Sequence, residues 1–311
     1  MEKQNLVSVE NISRDYNGLA AVSDVSFHLN KGEVLGFLGA NGAGKSTTMN
    51  MLCGVLAPSA GAIYVAGHNV VKNAIKAKQA LGYLPEHPPL YRDLKVDEYL
   101  LYCAGLRRIS KNRRQQSLVE AKQRCGLSEV GHKIISQLSK GYQQRVGIAQ
   151  AIIHMPALIV LDEPTVGLDP VQLREIRALI RELAQDHGVI LSTHILQEVE
   201  AVCDRVQILN HGRLVFSADT TTLSMRLAKK SLLLGLRQVP DLSELSAIAG
   251  VQSIEPLGEG RYRLAIDADN DPAERVAEYA VSKHLRLYEL SHQTVDLEQL
   301  FVDMADCKEP E

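Results

Sequence analysis

The 311 residues include no tryptophan, and aromatic residues make up only 5% of them. A groove that stacks single-stranded bases needs several aromatic platforms, so no nucleic-acid partner of that kind is expected. The five cysteines, Cys53, Cys103, Cys125, Cys203 and Cys307, are dispersed and form no CxxC pair. An odd, scattered set builds neither a disulfide framework nor a zinc site and suits a reducing compartment. No apolar run approaches the ~20 residues that cross a bilayer. The longest apolar stretch, AIIHMPALIVL, contains His154 and Pro156 and ends in carboxylates. The N-terminal MEKQNLVSVE has no long apolar segment, so no secretory signal is expected. The net charge of −3 exerts no general pull on nucleic acid or an anionic membrane. A local basic cluster, RRISKNRR from Arg107 to Arg114, reads as a solvated helix end and loop.

What is present is ordinary for a soluble globular chain: 45% apolar and 23% charged residues, enough for one large or two modest domains. The first forty residues alternate as strands (LVSVE, DVSFHL) and then run apolar (GEVLGFL), which predicts an antiparallel β portion beside a buried strand. From about Leu94 to Met155 the apolar spacing turns helical, and afterwards strands and helices alternate. That order predicts an α/β domain over residues 1–222, with a mixed, largely parallel sheet, an antiparallel β subdomain and a helical subdomain at about 94–155. Residues 223–305 read as a small α+β accessory domain in the order βαββαβ, of the ferredoxin-like kind, closed by a helix over TVDLEQLFVDM. Residues 306–311 read as a flexible tail.

Two stretches carry chemistry. ALIVLDEPTVGLDP reads as a strand buried on both faces that ends in adjacent carboxylates, Asp162 and Glu163, with Asp169 beyond. Like charges buried there call for something cationic or proton-hungry nearby; the alternative is a strand end emerging into solvent with both carboxylates hydrated. GANGAGKS matches G-x-x-x-x-G-K-[ST] between a predicted strand and a predicted helix. Gly39, Asn41, Gly42, Ala43 and Gly44 let the backbone turn its N–H groups toward phosphates, and Lys45 adds a full charge. Ser46, next to Thr47, offers a hydroxyl to Mg²⁺. This predicts a nucleoside-triphosphate site, ATP with Mg²⁺. Asp162 is then the acid for the metal, and Glu163 the group that orients and polarises an attacking water.

LSKGYQQRVGIAQAI, residues 138–152, resembles the signature of the ABC ATPases, a family of the P-loop NTPase fold. Ser139 and Gly141 match the usual LSGGQ, while Lys140 and Tyr142 depart from it. The resemblance covers about residues 5–222. It implies that Tyr16 stacks on adenine, that Asp169 in GLDP makes an inter-subunit contact, and that His194 in LSTHI reaches the γ-phosphate. It also places Glu86 of GYLPEHPPLY where the family usually has a glutamine that contacts Mg²⁺ or the attacking water. By the same resemblance two copies dimerise head to tail, each ATP lying between the phosphate loop of one and the signature of the other. The chain is most similar to ATPase subunits of bacterial type-two ABC exporters, which implies a separate transmembrane permease and a place at the cytoplasmic face of the membrane. The chromosome-binding branch carries a long coiled-coil insertion and the ribosome-acting branch a second phosphate loop; this sequence has neither. An NKxD motif for guanine is also missing.

Overall fold

The computed structural model describes residues 5–227, 231–267 and 270–293. β1 (Asn5–Tyr16) and β2 (Leu19–Asn30) pair antiparallel through Asn17-Gly18, both residues at positive φ (54° and 88°). This mirror-image turn matches the twist of the strands, and Asn-Gly is a favoured sequence for it. Both strands run twelve residues, longer than the alternating segments expected from sequence. A register shift between Val9 and Ile12 carries the ladder past the polar Asn11 (φ 47°). After β3 (Val34–Leu38) and α1 (Lys45–Leu52), β4 (Ala60–Val65) and β5 (His68–Asn69) complete an antiparallel sheet of order β2-β1-β4-β5.

The second sheet is built on β3. Along the chain follow α2 (Ala74–Gln79), β6 (Leu81–Leu84), α3 (Val96–Leu106), α4 (Lys111–Arg124), α5 (Lys140–Ile152), β7 (Leu158–Asp162), α6 (Pro170–Leu183), β8 (Gly188–Thr193), α7 (Leu196–Val202), β9 (Arg205–Asn210) and β10 (Arg213–Asp219). Its order is β10-β9-β3-β8-β7-β6, parallel throughout except for β10. VLGFL, LIVLD and GVILST are buried at every position, as strands covered on both faces must be. The register fixes where the chemistry goes. Leu38 lies opposite Thr193, and Asp162 opposite Ser192. The segments leaving β3, β7 and β8 therefore emerge together at the carboxyl edge of the sheet, where α/β folds bind ligands.

The segment between β6 and β7 is helical, as its spacing predicts. Its basic cluster differs from expectation. Arg107 is half-buried, and its Nη1 donates to the carbonyls of Lys78 in α2 (3.0 Å) and of Leu81 at the start of β6 (3.2 Å). Arg114 Nε donates to Ile109 O (2.9 Å). These two side chains satisfy backbone groups rather than hydrating freely.

His154 follows α5 and hydrogen-bonds Leu81 O through Nε2 (3.1 Å), while its buried Nδ1 has no partner among the described residues. Burial, with the Arg107 guanidinium nearby, pushes its pKa down to about 4. His187 is lowered by burial as well. Between pH 6.5 and 4 the unfolded chain therefore binds protons that the folded chain refuses, and stability rises with pH across that window. His154 alone should contribute a loss on the order of 2–3 kcal/mol from pH 7 to pH 4. Urea unfolding of His154→Gln should show a flatter pH dependence than wild type over this range; parallel curves would contradict the assignment.

The chain divides into two compact units, Met1–Thr220 and Thr221–Glu311, two residues from the boundary read in the sequence. α8 (Thr220–Leu227) begins at that division. In the second unit follow β11 (Ser231–Leu236), α9 (Leu242–Ser246), β12 (Val251–Gly258), β13 (Arg261–Ile266), α10 (Ala273–Ser282) and β14 (Leu287–Gln293), the four strands forming an antiparallel sheet of order β12-β13-β11-β14. Leu232, Leu234, Leu264, Leu245, Val276 and Ala280 form its core. The closing helix and the flexible tail expected from sequence lie outside the described residues.

Candidate functional site

The loop after β3 can exist only with glycine at two positions. A Cβ on Gly39 would lie 2.5 Å from Leu209 O, and one on Gly44 would lie 2.8 Å from Ala21 O. Gly44 also takes φ 100° as the N-cap of α1. No side chain caps α1, no acidic residue sits in its first turn, and the N–H groups of Lys45, Ser46 and Thr47 find no acceptor among the described residues. A helix start left in this way is an anion site. It opens into a cleft of about 410 Å³ lined by Ala21, Asn41, Gly42, Gly44, Lys45, Ser46, Thr47, Glu86, Glu163, Val166 and His194.

Lys45 is buried here. Its Nζ donates to Gly39 O (2.8 Å) and Ala40 O (3.2 Å) and stands 3.6 Å from Glu163 Oε1. Glu163 Oε2 lies 3.0 Å from His194 Nδ1. The two strand-end carboxylates are 3% and 7% exposed, so neither is a strand end emerging into solvent. Lys45 answers the charge of Glu163, and the His194 ring meets its other oxygen. Asp162 is different: among the described residues it has no ion pair and receives only hydroxyl hydrogen bonds, both at Oδ1, from Ser46 Oγ (3.4 Å) and from Ser192 Oγ. A buried carboxylate without a cationic partner is a costly arrangement unless a cation completes it. The facing oxygens of Ser46 and Asp162 are hard donors of the type Mg²⁺ takes, so the residues present fit that ion.

Glu163 departs from strand geometry with φ 48°, in a region that costs a non-glycine residue on the order of 1–3 kcal/mol. Its N–H is shared between Ser192 O (3.2 Å) and Ser192 Oγ (3.1 Å). The sequence reading missed Ser192, Ala21 and Val166. For Ser192 the only available signal was a pair of hydroxyls, Ser192 and Thr193, ending the apolar strand GVILST.

Of the expected site residues, Gly39, Ala43 and Asp162 adjoin lining residues without lining the cleft themselves, and four more stand apart from it. Tyr16 is 47% exposed, with the Arg14 guanidinium 4.8 Å from its ring centre. Ser139 caps α5 by accepting the Tyr142 N–H (3.4 Å). Gly141 packs so closely on Gln172 that a Cβ would meet its Oε1 at 2.5 Å. Asp169 caps α6, accepting the N–H groups of Val171 (3.0 Å) and Gln172 (2.9 Å). Lys140 lies over Gly167 of the GLDP loop. The signature segment and this loop therefore adjoin each other within one chain.

A family model described as ABC transporter matches residues 22–166, and one described as AAA domain, putative AbiEii toxin, Type IV TA system matches residues 134–200. The linearmycin resistance ATP-binding protein LnrL of Bacillus subtilis is 32% identical over 306 residues, 96% of this chain and 98% of that one. The bacitracin transport ATP-binding protein BcrA of Bacillus licheniformis is 36% identical over 212 residues, 68% of each chain. A solved ATP-binding subunit of an ABC transporter aligns with a TM-score of 0.64 at 31% identity, covering 71% of this chain and 92% of its own.

Proposed function

The chain belongs to the ABC transporter family of ATP-binding proteins, whose members hydrolyse ATP to drive transport through a separate permease, and we propose how this chain does so. It works as a head-to-tail pair of copies beside a transmembrane permease, at the cytoplasmic face of the membrane, and the transporter is an exporter. The observation that carries the reading is the cleft at the start of α1, where unsatisfied N–H groups, one buried lysine and two buried carboxylates converge. The export direction rests on the resistance and transport roles named for the two relatives above. No described helix is long and apolar enough to cross a membrane, so within this reading the spans belong to the partner.

The triphosphate binds along the loop from Gly39 to Gly44 and the N–H groups of Lys45, Ser46 and Thr47. Lys45 exchanges its two carbonyl acceptors for β- and γ-phosphate oxygens. Ser46, Asp162 and Glu86 would hold Mg²⁺, which would draw charge from the phosphoryl oxygens. Glu163 orients and deprotonates the attacking water, and His194, already 3.0 Å from Glu163, steadies that carboxylate and reaches the γ-phosphate. Tyr16 offers its exposed ring to adenine. Ser139 and Gly141 of one copy close over the γ-phosphate held by the other, and Asp169 lies at the contact between them. The second unit is a ferredoxin-like accessory domain with regulatory or dimer-stabilising work; its exposed strand pairs Arg263–Glu255 (2.9 Å) and Arg261–Glu289 (3.3 Å) suit a solvated face.

From detergent-solubilised membranes this chain should co-purify with a polypeptide bearing several ~20-residue apolar spans. Recovery without any membrane partner would contradict the reading. In that complex Glu86→Gln should leave hydrolysis within about threefold of wild type, because an amide oxygen still reaches the metal. Glu86→Ala should lower permease-stimulated hydrolysis about tenfold, and basal hydrolysis less. Equal rates for Glu86→Ala and wild type would remove Glu86 from the site.

A further inference from the structure

We propose that Ser192 is the positioning residue that sets the geometry of the Asp162–Glu163 pair, an inference that rests on the nucleotide site proposed above. Ser192 is fully buried near the end of β8, directly opposite Asp162 in the parallel ladder. Its one hydroxyl does two things at once. The proton goes to Asp162 Oδ1, and the oxygen accepts the N–H of Glu163 (3.1 Å). The first bond orients the carboxylate that faces Ser46 and leaves Oδ2 for another partner. The second helps to hold the Glu163 backbone at φ 48°, the turn that carries its side chain off the strand line toward Lys45 and His194.

β7 and β8 could pair through their backbones alone, with any small apolar residue at position 192. Backbone pairing does not fix the rotation of the Asp162 carboxylate, and it leaves the Glu163 N–H with a single acceptor at 3.2 Å. One hydroxyl thus ties the metal-facing acid to the base, and His194, two residues later on the same segment, meets that base through Glu163 Oε2. Groups that orient a metal's direct ligands commonly change metal affinity or activity 10- to 100-fold when removed. Ser192 reaches no substrate atom and acts through the acids it holds.

The test uses the full chain with Mg²⁺ and a fluorescent ATP analogue, measuring nucleotide binding with and without Mg²⁺ alongside steady-state hydrolysis. Wild type must first hydrolyse ATP in a Mg²⁺-dependent way; if it does not, the proposed nucleotide site fails independently of Ser192. Given that baseline, Ser192→Ala should lower kcat by about 10- to 100-fold. It should raise the Mg²⁺ concentration for half-maximal tightening of the analogue by about tenfold. Metal-free binding of the analogue should stay within about twofold, since the phosphate loop is untouched. A purely structural role would weaken metal-free binding in step with activity, and that result would overturn the inference. Wild-type kcat and Mg²⁺ dependence in Ser192→Ala would overturn it equally. Should that variant fail to fold, Ser192→Cys keeps nearly the same volume with only a weak donor and should show the same pattern at roughly three- to tenfold; wild-type values there would count against it.

Discussion

Glu163→Gln should abolish turnover while leaving ATP bound. A positioned general base contributes about 10²- to 10⁴-fold, and an amide cannot take the proton, so kcat should fall by at least about two orders of magnitude. Affinity should not fall with it. Glu163 stands 3.6 Å from Lys45, and that ion pair competes with phosphate for the ammonium. Neutralising the carboxylate frees the lysine, so ATP should bind as tightly as in wild type or more tightly. Single-turnover hydrolysis and equilibrium binding of labelled ATP check both halves. Near-wild-type turnover would remove Glu163 from the chemistry.

Lys45→Ala should have the opposite signature. A charge-assisted hydrogen bond contributes about 1.5–3 kcal/mol, so ATP affinity should fall roughly 10- to 100-fold. The substitution also leaves the buried Glu163 carboxylate without its lysine, with the His194 ring as its remaining side-chain partner among the described residues. The nucleotide-free variant should therefore unfold at lower denaturant, an effect Glu163→Gln should share to a smaller degree, because the Lys45 ammonium it leaves behind keeps its two carbonyl acceptors. Binding isotherms and urea unfolding of the two variants separate these outcomes. Unchanged ATP affinity in Lys45→Ala would contradict the phosphate site.

Much of this site was legible in the sequence because its constraints are local. A loop that must turn tightly, avoid Leu209 O and Ala21 O, and present bare N–H groups needs glycines at fixed positions, and they stand in GANGAGKS. A strand covered on both faces must be apolar until it ends, so the carboxylates after ALIVL had to be site groups or a solvated end. What stayed hidden depends on contacts between distant segments. Nothing in LSTHI reveals that Ser192 lies opposite Asp162, because that register is set by the pairing of β7 with β8. The length of β1 was underestimated for a similar reason: its polar middle breaks the alternation, but the register shift at Asn11 carries the ladder through it. Arg107 reads as a surface charge until α3 is laid beside α2 and the start of β6, where two backbone carbonyls accept from its Nη1.

In the function proposed above, Ser139 and Gly141, which stand outside the cleft that holds Lys45 and Glu163, close over the ATP held by a second copy of the chain. The most direct measurement of that claim is the molar mass of Glu163→Gln by light scattering on a sizing column, with saturating Mg-ATP and with Mg-ADP. The expected result is twice the mass of one chain with ATP, a single chain with ADP, and loss of the ATP-bound pair when Ser139→Arg is added. A single-chain mass with ATP demonstrably bound would contradict a site shared between two copies.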